Sequence, residues 1–419
     1  MNVLWITNDL LPEATSQLGG DGEQKRTGSW VYALALALQR NSEIKISIAS
    51  ITKLTKKLKV ICGEFITYYA IPSLGGRVYH TQYEKVFREI YKIVAPDVVH
   101  IHGTEYTHSL AALRACGYDR TVVSLQGIVS SIAPFYLGGI SQKMERKCVT
   151  FRSLFRPSLM KEQQEMTKRG EYEKQLFKEC RFIIGRTSWD MAQVWSINPK
   201  IVYFHCDEAL RPEFYHGQWE YHKCTPHSIF TSQGHIPLKG LHMLIKAMSL
   251  VIRHYPDVQL RVAGLDFLYD NGSFKDRLRL SSYGKLIKCL IRDYGLNNHV
   301  TFTGRLNGQE MKREYLNCNL FVCPSSIENS PNSLGEAQML GTPVLSSYVG
   351  GIPDMMKGME DCLYRYEDTE MLAYKICTVF EKKDNIETGL LRNNAHNRHN
   401  LLTIESSLLD IYKHVMESD

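Results

Sequence analysis

Glu328 and Glu336 stand on either side of Asn329-Ser330-Pro331-Asn332-Ser333-Leu334-Gly335, a run of small and amide residues. The apolar stretch Leu320-Phe321-Val322-Cys323 just before it suits a buried parallel strand. Ser333, with Glu336 three residues on, has the pattern of a capping box, so the loop 329–332 is expected to run into a helix N-terminus. Free amides and the helix dipole favour an anion there. An anion site ringed by carboxylates suits a phosphorylated polyhydroxy ligand: amides take the phosphate and carboxylates accept from hydroxyls. Lys239, in His235-Ile236-Pro237-Leu238-Lys239-Gly240, is placed at the start of another helix, where an ammonium can meet a phosphate already favoured by that terminus. The bland readings are a capped helix and a solvated lysine. The whole string in a strand-turn-helix context selects the ligand reading.

Elements able to position these residues recur along the chain. Strand patterns cover Asn2–Thr7, Lys45–Ser50, Phe65–Ala70, Pro96–His102, Thr121–Leu125, Phe182–Gly185 and Ile201–Phe204. A second set covers Ser228–Ser232, Val258–Ala263, Val300–Phe302 and Leu320–Cys323, with helical spacing over Gly240–Ile252 and Leu401–Val415. Lys53–Lys59 reads as a solvated basic loop. Alternating strands and helices predict two doubly wound parallel sheets in succession. Ligands in such folds bind at the carboxyl ends of the strands, so a cleft between the domains is the expected site. Gly28, at the opening of the first helix, would let backbone approach a phosphate or an acceptor, or would simply form a turn.

At 419 residues the chain has room for two cores, expected as 1–200 and 201–395, with 396–419 a terminal helix directed back to the first. Its 44% hydrophobic and 22% charged residues are those of an ordinary globular protein. No run approaches the roughly 20 apolar residues of a membrane span, and Met1–Thr7 looks like a strand rather than a signal peptide. The 11 cysteines include no Cys-x2-Cys pair, which fits a cytoplasmic protein with reduced thiols and neither zinc nor disulfides. Residues 1–200 hold 27 Lys+Arg against 18 Asp+Glu, and the rest 23 against 26, so the first half could face something anionic.

Glu-x7-Glu enclosing Asn-Ser-Pro-Asn-Ser-Leu-Gly-Glu-Ala resembles the family 4 retaining glycosyltransferases of GT-B fold, in the type that builds bacterial polysaccharides and cell-surface glycans. The resemblance extends to Gly304-Arg305, to Gly350-Gly351-Ile352-Pro353-Asp354 and to Gly185-Arg186-Thr187-Ser188-Trp189-Asp190. It is weakest over 53–94 and 137–169. It implies an α/β GT-B protein whose two Rossmann-like domains face a central cleft. It assigns Glu336 to the donor ribose, Glu328 to the donor sugar, and Asn329, Ser330, Pro331, Asn332, Ser333 and Leu334 to the sugar and diphosphate. Lys239, with His235, would meet the diphosphate; Arg305 would lie by the base and Gly28 in the glycine loop. The implied activity is retaining, metal-independent transfer from a UDP- or GDP-sugar to a glycan hydroxyl, with no cofactor beyond that co-substrate and no nucleic acid. A departing diphosphate would take the acceptor's proton, and the enzyme would position groups and stabilise charge. Gln126 stands where many members carry a histidine, and His102, on a neighbouring strand, is either a catalytic substitute or a core histidine. No Asp-x-Asp metal clamp occurs. A non-hydrolysing sugar-nucleotide epimerase and a non-catalytic sugar-nucleotide binding protein are the alternatives.

Residues 143–169 carry Lys143, Arg146, Lys147, Arg152, Arg156, Lys161, Lys168 and Arg169 among Phe151, Leu154, Phe155, Leu159 and Met160. That composition suits either peripheral contact with anionic lipid at the inner face of the membrane, with a lipid-linked acceptor, or a mobile basic loop and solvated helix.

Overall fold

The computed structural model describes the chain outside residues 21–28, 40–43, 76, 266–267, 269–277, 384–385 and 419. Two compact units emerge. Met1–Ser131, Glu165–Arg211 and Arg398–Asp419 form the first, and Ile132–Gln164 with Pro212–Asn397 form the second. The expected first domain, 1–200, is therefore interrupted. Ile140, Cys148 and Leu159 draw 132–164 into the apolar core of the second unit. The terminal helix Leu401–Glu417 lies in the first unit.

The first unit contains β1 (Asn2–Thr7), β2 (Lys45–Thr52), β3 (Lys59–Cys62), β4 (Thr67–Pro72), β5 (Val98–His102), β6 (Thr121–Ser124), β7 (Phe182–Gly185) and β8 (Val202–His205). They form one sheet in the order β3-β4-β2-β1-β5-β6-β7-β8, parallel except for β3 against β4. Along β1, Val3 and Trp5 enter one apolar core and Leu4 and Ile6 the other, so both faces are covered and the strand reads as a continuous apolar run. The unforeseen β3 starts at the end of the basic stretch. Its Ile61 is buried while Val60 is exposed, and an edge strand accommodates the charge of Lys59.

The second unit contains β9 (Thr225–Thr231), β10 (Gln259–Ala263), β11 (Val300–Gly304), β12 (Cys318–Cys323), β13 (Val344–Ser347) and β14 (Leu363–Tyr364). The order is β11-β10-β9-β12-β13-β14, with all pairs parallel. Strand order reverses between β9 and β12, which is where an open α/β sheet offers a crevice at its carboxyl edge. Phe230 and Phe321 lie side by side in these strands against Tyr315, which rigidifies the floor beneath the two loops that follow.

Candidate functional site

The loops after β9 and β12 meet at that reversal. Beyond β9 the chain makes a three-residue turn, Pro237–Lys239, and enters the helix Leu241–Val251 through Gly240. Gly240 has φ +71°, and a Cβ there would stand 1.7 Å from the Pro324 carbonyl oxygen, so only glycine allows the two loops to touch. Gly350 plays the same part on the other side: its φ is +52° and a Cβ would lie 1.9 Å from the Glu328 carbonyl oxygen. The Gly351 N–H donates to that oxygen at 3.0 Å, which makes the Gly350-Gly351 turn a brace for Glu328.

Between the loops the Lys239 ammonium donates to Glu328 Oε1 at 2.6 Å, and the Ser325 hydroxyl donates to the same oxygen at 2.7 Å. The Lys239 side chain is 18% exposed and that of Glu328 10%, so the pair is sheltered yet reachable. A short charge-assisted bond in partial burial fixes both groups before any ligand arrives. Ser347 in turn donates to the Ser325 carbonyl oxygen. Burial pushes the neighbouring Cys323 thiol up to about 11, with the Glu328 carboxylate adding to the rise and Lys239 opposing it. Cys323 is therefore a neutral wall residue.

Glu336 is buried at 4% and accepts from the Tyr315 hydroxyl at 3.3 Å. The expected capping box does not form. The helix is Asn332–Leu340, Pro331 is its N-cap with φ −71° and ψ 119°, and no side chain caps it. Proline's fixed φ and extended ψ start the helix at Asn332, which moves Ser333 inside the first turn. The consequence favours a ligand: among the described residues the Asn332 and Ser333 N–H groups have no acceptor, whereas those of Leu334 and Gly335 bond to the Pro331 carbonyl. Asn329 is buried beside Glu328, and Ser330 is half-buried.

His235 lies in the turn after β9, and its Nδ1 accepts the Leu265 N–H at 3.3 Å. Burial lowers its pKa to about 4, and Arg305 and then Lys239 add to the fall. A neutral His235 thus stands near both cations. Arg305, just past the end of β11, is exposed. Gly28 lies outside the described residues.

His102 is 3% exposed, packed 3.8 Å from the His100 ring and 4.5 Å from the Trp5 ring. Burial pushes its pKa to about 3. Trp5 Nε1 donates to the Tyr412 hydroxyl, which also pairs with His100 Nδ1, so the terminal helix closes this cluster. That environment is an aromatic core of the first unit, the bland alternative for His102. Gln126, two residues past the end of β6, lends its carbonyl oxygen to the Arg186 guanidinium. Among the described residues no group of three or more His, Cys, Asp or Glu is placed to hold a metal ion.

Residues absent from the sequence reading are Ser325, Ser347 and Tyr315. Ser325 precedes Glu328 by three residues in one loop, a spacing readable in retrospect; Ser347 and Tyr315 reach the site only through the sheet.

Comparison with known proteins agrees with this architecture. Sucrose-phosphate synthase from Thermosynechococcus elongatus superposes with TM-score 0.68 at 16% identity, covering 100% of both chains. Anabaena HepE in complex with UDP and glucose gives 0.62 at 15% identity, over 99% of this chain and 100% of that one. The fold is GT-B. Within the second unit, residues 224–397, less than half of the chain, match the family model of group 1 glycosyl transferases. This match includes Lys239, Glu328 and Glu336. Curated relatives of similar sequence are an uncharacterized glycosyltransferase of Methanocaldococcus jannaschii, 26% identical over 43% of each chain, and spore coat protein SA of Bacillus subtilis, 23% identical over 42% of this chain and 46% of that one. A D-inositol 3-phosphate glycosyltransferase of Arthrobacter sp. is 31% identical over 27% of this chain and 25% of its own. The chain thus spans less than half the length of the curated relatives it matches.

Proposed function

We propose that this GT-B protein is a retaining, metal-independent glycosyltransferase. It moves a sugar from a UDP- or GDP-sugar to a glycan hydroxyl in cell-surface polysaccharide synthesis. The observation that carries the reading is the Lys239–Glu328 pair, held by Ser325 where strand order reverses, in the loop that leads four residues on into a helix with open Asn332 and Ser333 amides. Lys239 and the two amides would receive the donor diphosphate, and Glu336 the ribose hydroxyls. Glu328 would then orient the sugar. As the sugar–oxygen bond breaks, negative charge grows on the diphosphate, and preorganised donors aimed at it lower the barrier. The leaving phosphate oxygen would take the acceptor's proton on the same face, which requires no enzymic base. His102 is given no catalytic part, because it is stacked in the core of the first unit.

The test is incubation with UDP-, GDP- and ADP-sugars, with and without glycan acceptors, in the presence and absence of chelator. Acceptor-dependent release of nucleoside diphosphate with retained anomeric configuration is expected. Interconversion of the donor without acceptor would identify an epimerase, and binding without turnover a non-catalytic protein.

A lipid-linked acceptor and peripheral membrane contact form the finer part of the proposal. Their support is that Val149, Phe151 and Phe155 are exposed beside exposed Lys143, Arg146, Lys147 and Arg156. Phe151 and Phe155 pack ring to ring at 5.3 Å, and exposed aromatics among cations suit an anionic bilayer interface. Arg152 does not join them, since its guanidinium donates to the Arg279 carbonyl. No helix among the described residues is long and apolar enough to cross a membrane. Co-sedimentation with anionic liposomes is expected, weakened by salt and by alanine at Phe151, Phe155, Arg146 and Lys147. Equal binding by that variant would remove this part of the proposal.

A further inference from the structure

Residues 135–140 are held on the second unit by polar contacts that fall beside the Lys239 turn. The Gly138 carbonyl oxygen accepts two hydrogen bonds, from His242 Nε2 at 2.7 Å and from the Tyr366 hydroxyl at 2.8 Å. A carbonyl only accepts, so the His242 proton resides on Nε2, and Nδ1 is left to accept from the Tyr283 hydroxyl at 3.2 Å. His242 is 1% exposed, and burial pushes its pKa down to about 4, which keeps the ring neutral in this tautomer. Three residues earlier, the Phe135 carbonyl accepts the Ser326 hydroxyl at 2.9 Å, while the Ser326 N–H donates to Leu238 at 2.8 Å. Ser326 therefore joins the segment, the Lys239 turn and the Glu328 loop. Gly138 has φ +56°, and a Cβ on it would stand 2.9 Å from the Pro237 carbonyl oxygen, so the segment lies directly against the turn.

Burial of Ile140, Cys148 and Leu159 already anchors 132–164. Further polar contacts, Arg152 to the Arg279 carbonyl and Lys285 to the Val149 carbonyl, are exposed, whereas the buried ones fall where the segment meets Pro237–Lys239. That turn has three residues and ends at a left-handed glycine, and its internal bonds are Lys239 N–H to Ile236 and Gly240 N–H to Pro237, both 3.0 Å. We infer that Phe135–Ile140 is the backstop of this turn, and that His242, acting through the Gly138 carbonyl, is a positioning residue for the Lys239 ammonium. The inference rests on the reading that Lys239 meets a donor diphosphate. Displacement of such a group by about 1 Å can cost on the order of 10²-fold in rate, so a backstop has a catalytic consequence without touching substrate.

His242→Phe keeps a ring but removes the donor to Gly138, and His242→Gln retains an N–H. Two measurements on the full chain separate the ideas: amide hydrogen exchange without ligand, and titration with UDP, GDP and ADP. In His242→Phe the Lys239 and Gly240 amides should exchange at least about tenfold faster, with the helix Thr369–Lys382 unchanged. The nucleoside diphosphate that binds wild type should bind about tenfold more weakly, and His242→Gln should recover most of both. Wild-type exchange at Lys239 and Gly240 in His242→Phe would overturn the inference, as would a rise spread evenly through the second unit. Should His242→Phe fail to fold, Tyr366→Phe removes the other donor to the same carbonyl; it should give a smaller rise at the same two amides, and none would overturn the inference. If none of the three nucleotides binds wild type, the glycosyltransferase reading fails, and exchange alone decides the backstop.

Discussion

Each unit carries a cation–carboxylate pair at the carboxyl edge of its sheet, and the two pairs are built for different ends. In the first unit Arg186, just after β7, pairs with Glu208, the side chains being 5% and 12% exposed. The same guanidinium donates to the Leu125 and Gln126 carbonyls, and the Arg186 N–H donates to Asp190. The Glu208 carbonyl accepts from His399 at 2.6 Å, next to the terminal helix. That pair ties the ends of β6 and β7 and the chain terminus into one bracket. In the second unit Lys239 has Glu328 as its single partner among the described residues, and the ammonium keeps two donors for something else. A buried guanidinium whose Nη1 and Nη2 are used on Glu208 and on two main-chain carbonyls, with Nε alone lacking an acceptor among the described residues, serves structure. A sheltered charge with donors to spare, whose carboxylate partner precedes a helix with open amides by four residues, would on the proposed function serve a ligand.

The sharpest way to break this contrast is to remove each cation. On the proposed function Lys239→Ala should lower turnover by about 10²-fold or more, because it would delete charge stabilisation at the leaving diphosphate. Lys239→Arg should recover only part, since a planar fork does not replace a compact ammonium. Arg186→Ala should instead destabilise the fold by about 3–5 kcal/mol, the cost of leaving a buried partner charged and two carbonyls unserved. Lys239→Ala should destabilise much less, because Ser325 still donates to Glu328 and solvent reaches the site. Denaturant titration and initial rates on the two variants decide the matter. Equal stability losses would erase the distinction.

Glu336→Ala should weaken nucleoside diphosphate binding by about 1.5–3 kcal/mol, the range for a bond to a charged group. Calorimetry checks it, and wild-type affinity in the folded variant would refute the ribose assignment.

The smallest expected effect concerns pH. Burial lowers the pKa of His108, His235, His242 and His399 to about 4 and that of His102 to about 3. Each binds a proton more readily unfolded than folded between its folded value and the ordinary 6.5. Stability should therefore fall as pH drops through that window. Glu173 works the other way. Burial raises its pKa to about 7, so its neutral form favours the fold as pH falls from 7 toward 4.5. Urea midpoints from pH 7 to 4 should show a net decline, and His102→Gln, if folded, should flatten it.

Much of the fold is legible in the sequence. Fully apolar runs such as Leu320–Cys323 announce strands buried on both faces; Lys239 and Glu328 stand in the turn and loop after such strands, and Glu336 in the helix that follows. What escaped depended on long-range packing. β3 pairs antiparallel at an edge, where a basic start is tolerated. The segment 132–164 has no periodicity that reveals which core receives Ile140, Cys148 and Leu159. The helix after Pro331 starts without Ser333 as its cap, because the proline's backbone geometry overrode the capping-box pattern. His102 sits at a strand end, as expected, but Trp5 and His100 occupy the space around it, a fact no local pattern encodes.

The proposed function requires the second unit to hold a nucleoside diphosphate between Lys239 and the start of the helix Asn332–Leu340. Isothermal titration of UDP, GDP and ADP into wild type, Lys239→Ala and Glu336→Ala tests it most directly. Binding of at least one nucleotide, weakened about tenfold or more in both variants, is the predicted result. No binding to wild type, or equal binding to all three proteins, would contradict it.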